Sequence, residues 1–146
     1  MARINITQAV VKMDASEGGS LTDYSNEVMR GTLDTTRTNT KHFTFGVAAG
    51  VVSVGKYGGT LTMTIESGTT STSLHGIFSV MATDSSPTAR SFEVFIPDTT
   101  TGSHKYAFEG ALTNYQLVNA DAGGNGVQMH DATIEVEGVI THTVVA

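Results

Sequence analysis

The sequence predicts an all-β fold carrying one short helix, and three observations support that prediction. Threonine supplies 23 of the 146 residues, and β-branched side chains suit pleated, half-buried surfaces better than helices. Several stretches alternate apolar and polar residues with the period of two that turns one face of a strand inward. Only one stretch has the period of a helix.

Taken in order, the first strand is expected over Ile4 to Asp14, with a possible bulge where alternation breaks at Ala9-Val10-Val11. Ser16-Glu17-Gly18-Gly19-Ser20 reads as a turn, and Glu27 to Asp34 as a second strand. From Asp34 to Lys56 the chain has little punctuation. Polar Thr35 to Lys41 leads into His42 to Phe45 and then into Gly46-Val47-Ala48-Ala49-Gly50-Val51-Val52. This span is expected to be a long extended loop or arm, and long loops in small domains tend to carry function. Its apolar part would be a sticky exposed strand on a monomer, but is explained if another subunit covers it. An ordinary core strand is the equally open alternative.

Gly58 to Glu66 alternates strictly, with Leu61, Met63 and Ile65 on one side and Thr60, Thr62, Thr64 and Glu66 on the other. Ser71 to Thr83 places Leu74, Ile77, Phe78 and Met81 on one stripe, so this is the helix. Ser71, Thr72 and Ser73 offer cap oxygens, and Asp84-Ser85-Ser86-Pro87 ends it. Ser91 to Ile96 and Lys105 to Val118 follow as strands, the latter with Gly110 as a candidate bulge, joined by a turn at Thr99 to Gly102. Asn119 to Gly126 reads as a loop. In the final strand, Gln128 to Val144, Ala132, Ile134, Val136, Gly138, Ile140 and His142 share one face. Thr133, Glu135, Glu137, Val139 and Thr141 share the other.

Length and composition fit a single domain, 1–146. A net charge of −6 with no basic run argues against nucleic-acid binding, which needs clustered cations to displace counterions. An acidic surface instead repels a polyanion passing over it. Cysteine is absent, which excludes disulfides and thiolate chemistry. Met1 to Thr7 lacks the apolar core of a signal peptide, and the longest apolar run, Val47 to Val54, is too short to span a bilayer. No membrane association is expected.

No catalytic signature is present: there is no G-x-S-x-G, P-loop, G-x-G-x-x-G or H-E-x-x-H. The five histidines, His42, His75, His104, His130 and His142, have no ligand spacing, and a metal site from His130, Asp131 and a distant histidine is far outweighed by ordinary strand histidines. Asp121 to Gly126 lacks the carboxylates of a calcium loop. Glu135 and Glu137 are better read as a solvated strand face than as an acid–base pair, or, more sharply, as the lining of an acidic channel. Asn5-Ile6-Thr7 and Gly46-x-x-x-Gly50 match a sequon and a helix-packing motif, but neither has the context that gives such motifs meaning. No metal, no cofactor and no enzymatic activity are expected.

The order of parts resembles the tail tube protein, or major tail protein, of long-tailed bacteriophages. The likeness rests on Leu21-Thr22-Asp23-Tyr24 leading into an early strand, on Thr32-Leu33-Asp34 with a polar segment ending at Phe45-Gly46, and on Gly58-Gly59-Thr60-Leu61-Thr62-Met63 before a single helix. Phe92-Glu93-Val94, Tyr106 to Tyr115 and the closing Asp131 to Thr141 follow in matching order. The resemblance implies a β-sandwich or partly closed barrel of the tail-tube type with one flanking helix. It also implies a virion protein, assembled in the host cytoplasm, whose stacked and hexameric rings form the tail tube through which DNA is ejected. Partners implied are further copies of itself, the tape measure, tail terminator and baseplate or tip proteins, and viral DNA passing without specific binding. On that resemblance Phe43, Phe45, Val47, Val51 and Val52 are the candidate inter-subunit residues, and Glu135 and Glu137 the candidate lumen-facing acids. A capsid decoration protein or a receptor- or carbohydrate-binding β-sandwich is the alternative. It is disfavoured by the absence of Trp and by only 4 Tyr available for stacking on sugars.

Overall fold

A computed structural model describes residues 9–16, 18–68, 70–120 and 128–146. The expected strand start at 4–8, the sequon and the body of the 119–126 loop lie outside them. The strands are β1 (Val10–Asp14), β2 (Leu21–Asp23), β3 (Val28–Thr44), β4 (Val47–Glu66), β5 (Arg90–Ile96), β6 (His104–Tyr115) and β7 (Met129–Val144). A 3-10 turn, Ser25–Glu27, precedes β3, and the helix α1 covers Leu74–Thr83.

All seven strands join one antiparallel sheet in the order β2-β1-β5-β6-β7-β4-β3. There is no second sheet among the described residues, so the sandwich alternative gives way to a single open sheet. That sheet must curl. Laid flat, its two edges would stand about 29 Å apart, from strand spacings of about 4.8 Å. Yet β2 at one edge is joined to β3 at the other through Tyr24 and the 3-10 turn. Those five steps from Asp23 to Val28 span at most about 17 Å. The Leu21-Thr22-Asp23-Tyr24 motif is therefore the corner that brings the edges toward each other. Its backbone is pinned there: Tyr24 N donates to Val11 O at 2.9 Å, Val11 N donates to Ser25 Oγ at 3.0 Å, and Ser25 N donates to Asp23 Oδ1 at 2.9 Å.

The alternation read from the sequence decides which face is buried. Leu61, Met63 and Ile65 of β4 stand opposite Ile134, Ala132 and His130 of β7, and all six are buried. Met13, Phe92, Val94 and Phe108 continue the same core, and α1 lays Leu74, Ile77, Phe78 and Met81 onto it. The helix starts where predicted, with Ser73 Oγ accepting from Gly76 N at 3.2 Å. Leu74 N also donates to Glu27 Oε1 at 2.9 Å, which sets a carboxylate at the positive end of the helix. Each apolar side chain fully buried in this way contributes about 1.5–3 kcal/mol.

One sequence expectation is corrected in detail. Gly110 is not a bulge, since β6 runs in register through it; a Cβ there would sit 2.6 Å from Ile134 Cγ2, so the glycine makes room for packing. The extra residue of β6 is Thr113, between Leu112 and Asn114, and a larger bulge lies in β7, where Gly138, Val139 and Ile140 stand against Phe108 alone. Gly138 has φ +81, a conformation few other residues accept. The bulge adds an even number of residues, so Val136 and Ile140 both remain on the core side. Gly138→Val is expected to lower stability by about 1–3 kcal/mol, read as a fall in the thermal midpoint.

Candidate assembly interface

The segment expected as a loop from Asp34 to Lys56 is a paired ribbon. β3 and β4 form a hairpin from Val28↔Ile65 to Thr44↔Val47, with register shifts at Val28/Arg30, Arg37/Asn39 and His42/Thr44. The sequence hid this because neither half alternates cleanly, and the partner that satisfies each half's backbone is the other half. β7 pairs with β4 only over Thr60 to Glu66, so the part of the hairpin beyond Gly59 leaves the sheet as a two-stranded arm. With about 3.4 Å per residue, the 13 residues from Val47 to Gly59 make it about 44 Å long.

The arm leaves the sheet beyond Thr60↔Glu135, where the β4–β7 ladder ends, three residues before the β7 bulge begins at Gly138. There Tyr57 bridges the gap: its hydroxyl accepts from Ile140 N at 2.6 Å. Arg37 lies over the Tyr57 ring at 5.1 Å and donates to Gly55 O at 3.2 Å. This brace stiffens the root, and beyond it both backbone edges of the arm lack ladder partners among the described residues. Below the root, a groove of about 1180 Å³ runs toward the corner at the opposite sheet edge, lined in part by Val11, Leu33, Val94, Tyr106 and Ile140.

The arm's far end is apolar and uncovered. Phe43 is 68% exposed, Phe45 111% and Val52 52%, while Val51 is just exposed. Val47 stands opposite Thr44 at the turn. Phe43 is held in place, with Lys41 Nζ 5.5 Å from its ring and Gly50, at φ +89, beneath it. A Cβ on Gly50 would fall 2.9 Å from Phe43 Cε1. Four of the five candidate inter-subunit residues are thus brought to one exposed tip with Val47 beside them in the register.

Glu135 and Glu137 lie on the sheet face away from α1, both exposed. Glu109 stands directly opposite Glu137, and Asp34 and Thr60 continue the row from Glu135. No cation pairs with Glu135 or Glu137 among the described residues; the one ion pair found there, Lys105 to Glu93 at 2.7 Å, lies elsewhere on this face. Like charges on facing strands repel, so the stripe costs stability that a purely structural face would not require. Glu109 also accepts from Ser91 Oγ at 2.5 Å. Among the described residues no group of three His, Asp or Glu side chains is placed to hold a metal.

A polar cluster ties α1 to the sheet and was not legible from spacing. His75 on α1 hydrogen-bonds the Tyr115 hydroxyl through Nδ1 and stacks on His130 with ring centroids 4.0 Å apart. His130 Nδ1 donates to Gln116 O at 2.7 Å, which leaves its buried Nε2 without a partner. Burial, reinforced by His130, holds His75 below the usual histidine range, and burial pushes the Tyr115 hydroxyl far up. A base whose folded-state pKa is depressed adds stability that is complete above its unfolded value. That stability is lost as pH falls below about 6.5, where the unfolded chain takes up the proton first. We therefore expect the thermal midpoint of the protein to drop between pH 7 and pH 5 by more than that of His75→Phe, as followed by circular dichroism.

No family model and no curated protein matches the sequence. Solved structures do match the fold. A chain from the sheath/tube terminator of the PVC extracellular contractile injection system, in its extended state, superposes with TM-score 0.74 at 12% identity, over 99% of both chains. A chain from the six-fold symmetrised baseplate of the anti-feeding prophage gives 0.73 at 12%, again over 99% of both. One from the tail of an empty gene transfer agent particle, refined with C6 symmetry, gives 0.69 at 12%, over 98% of this chain and 100% of that one. The curled seven-stranded sheet with its flanking helix is the fold of these tail and injection-system chains.

Proposed function

We propose that this chain is a structural tail protein, the tube subunit of a phage tail or related particle, whose copies close into rings, hexameric by analogy with the symmetric matches, and stack into a conduit for DNA. The observation that carries the reading is the arm: a braced ribbon with two unpaired edges and an exposed Phe43/Phe45 tip, on a chain with no catalytic constellation among its described residues. The arm's tip and the body are different surfaces, so copies joined through it make a head-to-tail contact that closes into a ring or propagates as a stack. Backbone pairing along the free edges would add directional strength to the apolar contact. The acidic stripe of Glu109, Glu135 and Glu137 suits a lumen wall that DNA must slide past without binding. Further tail components, such as tape measure, terminator and baseplate proteins, would cap the tube.

Negative-stain electron microscopy of the concentrated protein tests this. Rings or hollow tubes of uniform width are expected, and a monomer that persists at high concentration overturns the reading. In assembled tubes, Glu135→Lys with Glu137→Lys is expected to leave tube formation intact while making the tubes retain added DNA at low salt in a sedimentation assay. Unchanged DNA retention would take the stripe off any wall that DNA can reach.

A further inference from the structure

Two parts of this chain are unsatisfied in complementary ways, and they do not meet within one copy. The first is the free edge of β7. Val145 N donates to Ser103 O at 2.9 Å, so the odd-numbered residues at this end of the chain aim their backbone groups at β6. With a period of two, Ile140, His142 and Val144 aim theirs the other way, toward the side that β4 leaves beyond Thr60↔Glu135. The Tyr57 hydroxyl meets Ile140 N there, and no strand pairs with that edge among the described residues. Beside it lies the groove, lined by Val11, Leu33, Val94, Ile96, Tyr106 and Ile140. At about 1180 Å³ it exceeds the usual small-molecule pocket of about 300–1,000 Å³. An apolar trough beside an unpaired strand edge is the form that accepts an added strand.

The second part is the arm. Its outer strand, β3, is the last strand of the sheet, and its tip presents Phe43 and Phe45 to solvent. From Thr35 to Gly59 the arm carries Arg37, Lys41 and Lys56 and no acid, while all 14 acids and the other 5 cations lie outside it. A +3 arm therefore meets a −9 body on any other copy, which favours and orients their encounter. The tip cannot turn back into its own groove, because the arm's braced root borders that groove and the tip stands about 44 Å beyond it.

We propose that the arm of a second copy docks along the free β7 edge, with its β3 strand pairing against Ile140, His142 and Val144 and its Phe43 and Phe45 rings seated in the groove. The partner is the second copy that the tube reading supplies, so the docking rests on that reading and gives it a receiving surface. Each copy then offers one arm and one groove, a contact that closes or propagates without using any surface twice.

The chain has no cysteine, so single introduced cysteines report the contact cleanly. Copies with Thr44→Cys at the tip are mixed with copies carrying Thr143→Cys, an exposed position on β7, and treated with a short bismaleimide. Peptide mass spectrometry identifies the joined positions, and electron microscopy examines the same sample. A link between positions 44 and 143 is expected at least tenfold above the yield obtained when Val80→Cys replaces Thr143→Cys. Val80 is exposed on α1, and no residue of α1 lines the groove. His142→Pro removes only an outward N–H, which an edge strand tolerates. Placed in the Thr143→Cys copy, it is expected to cut the link at least tenfold with the circular dichroism spectrum unchanged. Tubes that form without the link overturn the docking and leave the tube reading standing. An equal link to position 80, or one undiminished by H142P, also overturns the docking. The link without rings or tubes keeps the docking and overturns the tube reading, and absence of both overturns both.

Discussion

Replacing Phe43 and Phe45 together by Asp is expected to abolish assembly while leaving the fold intact. Both rings stand free of the core, so the monomer loses almost no packing. At an interface, each buried Phe contributes about 1.5–3 kcal/mol, and the two carboxylates would have to be desolvated without partners. Even after discounting for the costs of association, the change raises the concentration needed for assembly by about two orders of magnitude or more. The measurement is sedimentation across a concentration series, with circular dichroism confirming that the variant is folded. A milder pair, Phe43→Leu with Phe45→Leu, should assemble at slightly higher concentration than the parent. Assembly of the Asp variant at the parent's concentration would show that the tip is not at an interface.

The second large effect is expected in the core. Phe78 is fully buried on α1, and its ring meets Tyr115 edge-on with centroids 5.5 Å apart. It is the largest side chain that the helix lends to the sheet. Phe78→Ala should cost about 3–5 kcal/mol, the sum of lost transfer energy and of the cavity left behind. Against a total stability of about 5–15 kcal/mol for a typical domain, that is a large fraction of what holds the protein folded. Urea unfolding followed by circular dichroism should show the midpoint falling with little change in slope. The same substitution loosens the burial that depresses His75, so the fall in thermal midpoint between pH 7 and pH 5 should be smaller in this variant than in the parent. Val80, on the same helix but 66% exposed, is the control: Val80→Ala is expected to change stability by less than about 0.5 kcal/mol.

These two sites differ in how far they could be read in advance. Phe78 was legible because Leu74, Ile77, Phe78 and Met81 follow the helical period, which is a local property of the chain. The inward faces of β4 and β7 were legible for the same reason, through strict alternation. Phe43, Phe45, Val51 and Val52 were legible as apolar residues in a polar setting, but not as the tip of a paired ribbon. Pairing is a relation between residues up to 37 positions apart, such as Val28 and Ile65, and either strand alone lacks the alternation that signals it. The polar cluster of His75, Tyr115 and His130 gave no sequence signal at all, since its members come from three elements. The same holds for Glu27, which caps a helix beginning 47 residues later.

The sequence by itself determined that the protein is β-rich, that one helix covers one face of its sheet, and that Glu135 and Glu137 face away from the core. Each of these follows from periods of 2 and 3.6 residues and from side-chain polarity, which act over a few neighbours. Only the tertiary structure decided that there is one sheet and not two, that it curls, where β7 bulges, and that the arm is a braced hairpin. Those outcomes depend on closure: a corner too short to span a flat sheet, and a β4–β7 ladder that stops at Glu135, beyond which Tyr57 bonds Ile140. Such geometric constraints couple distant parts of the chain, so they arise only when all the strands are in place.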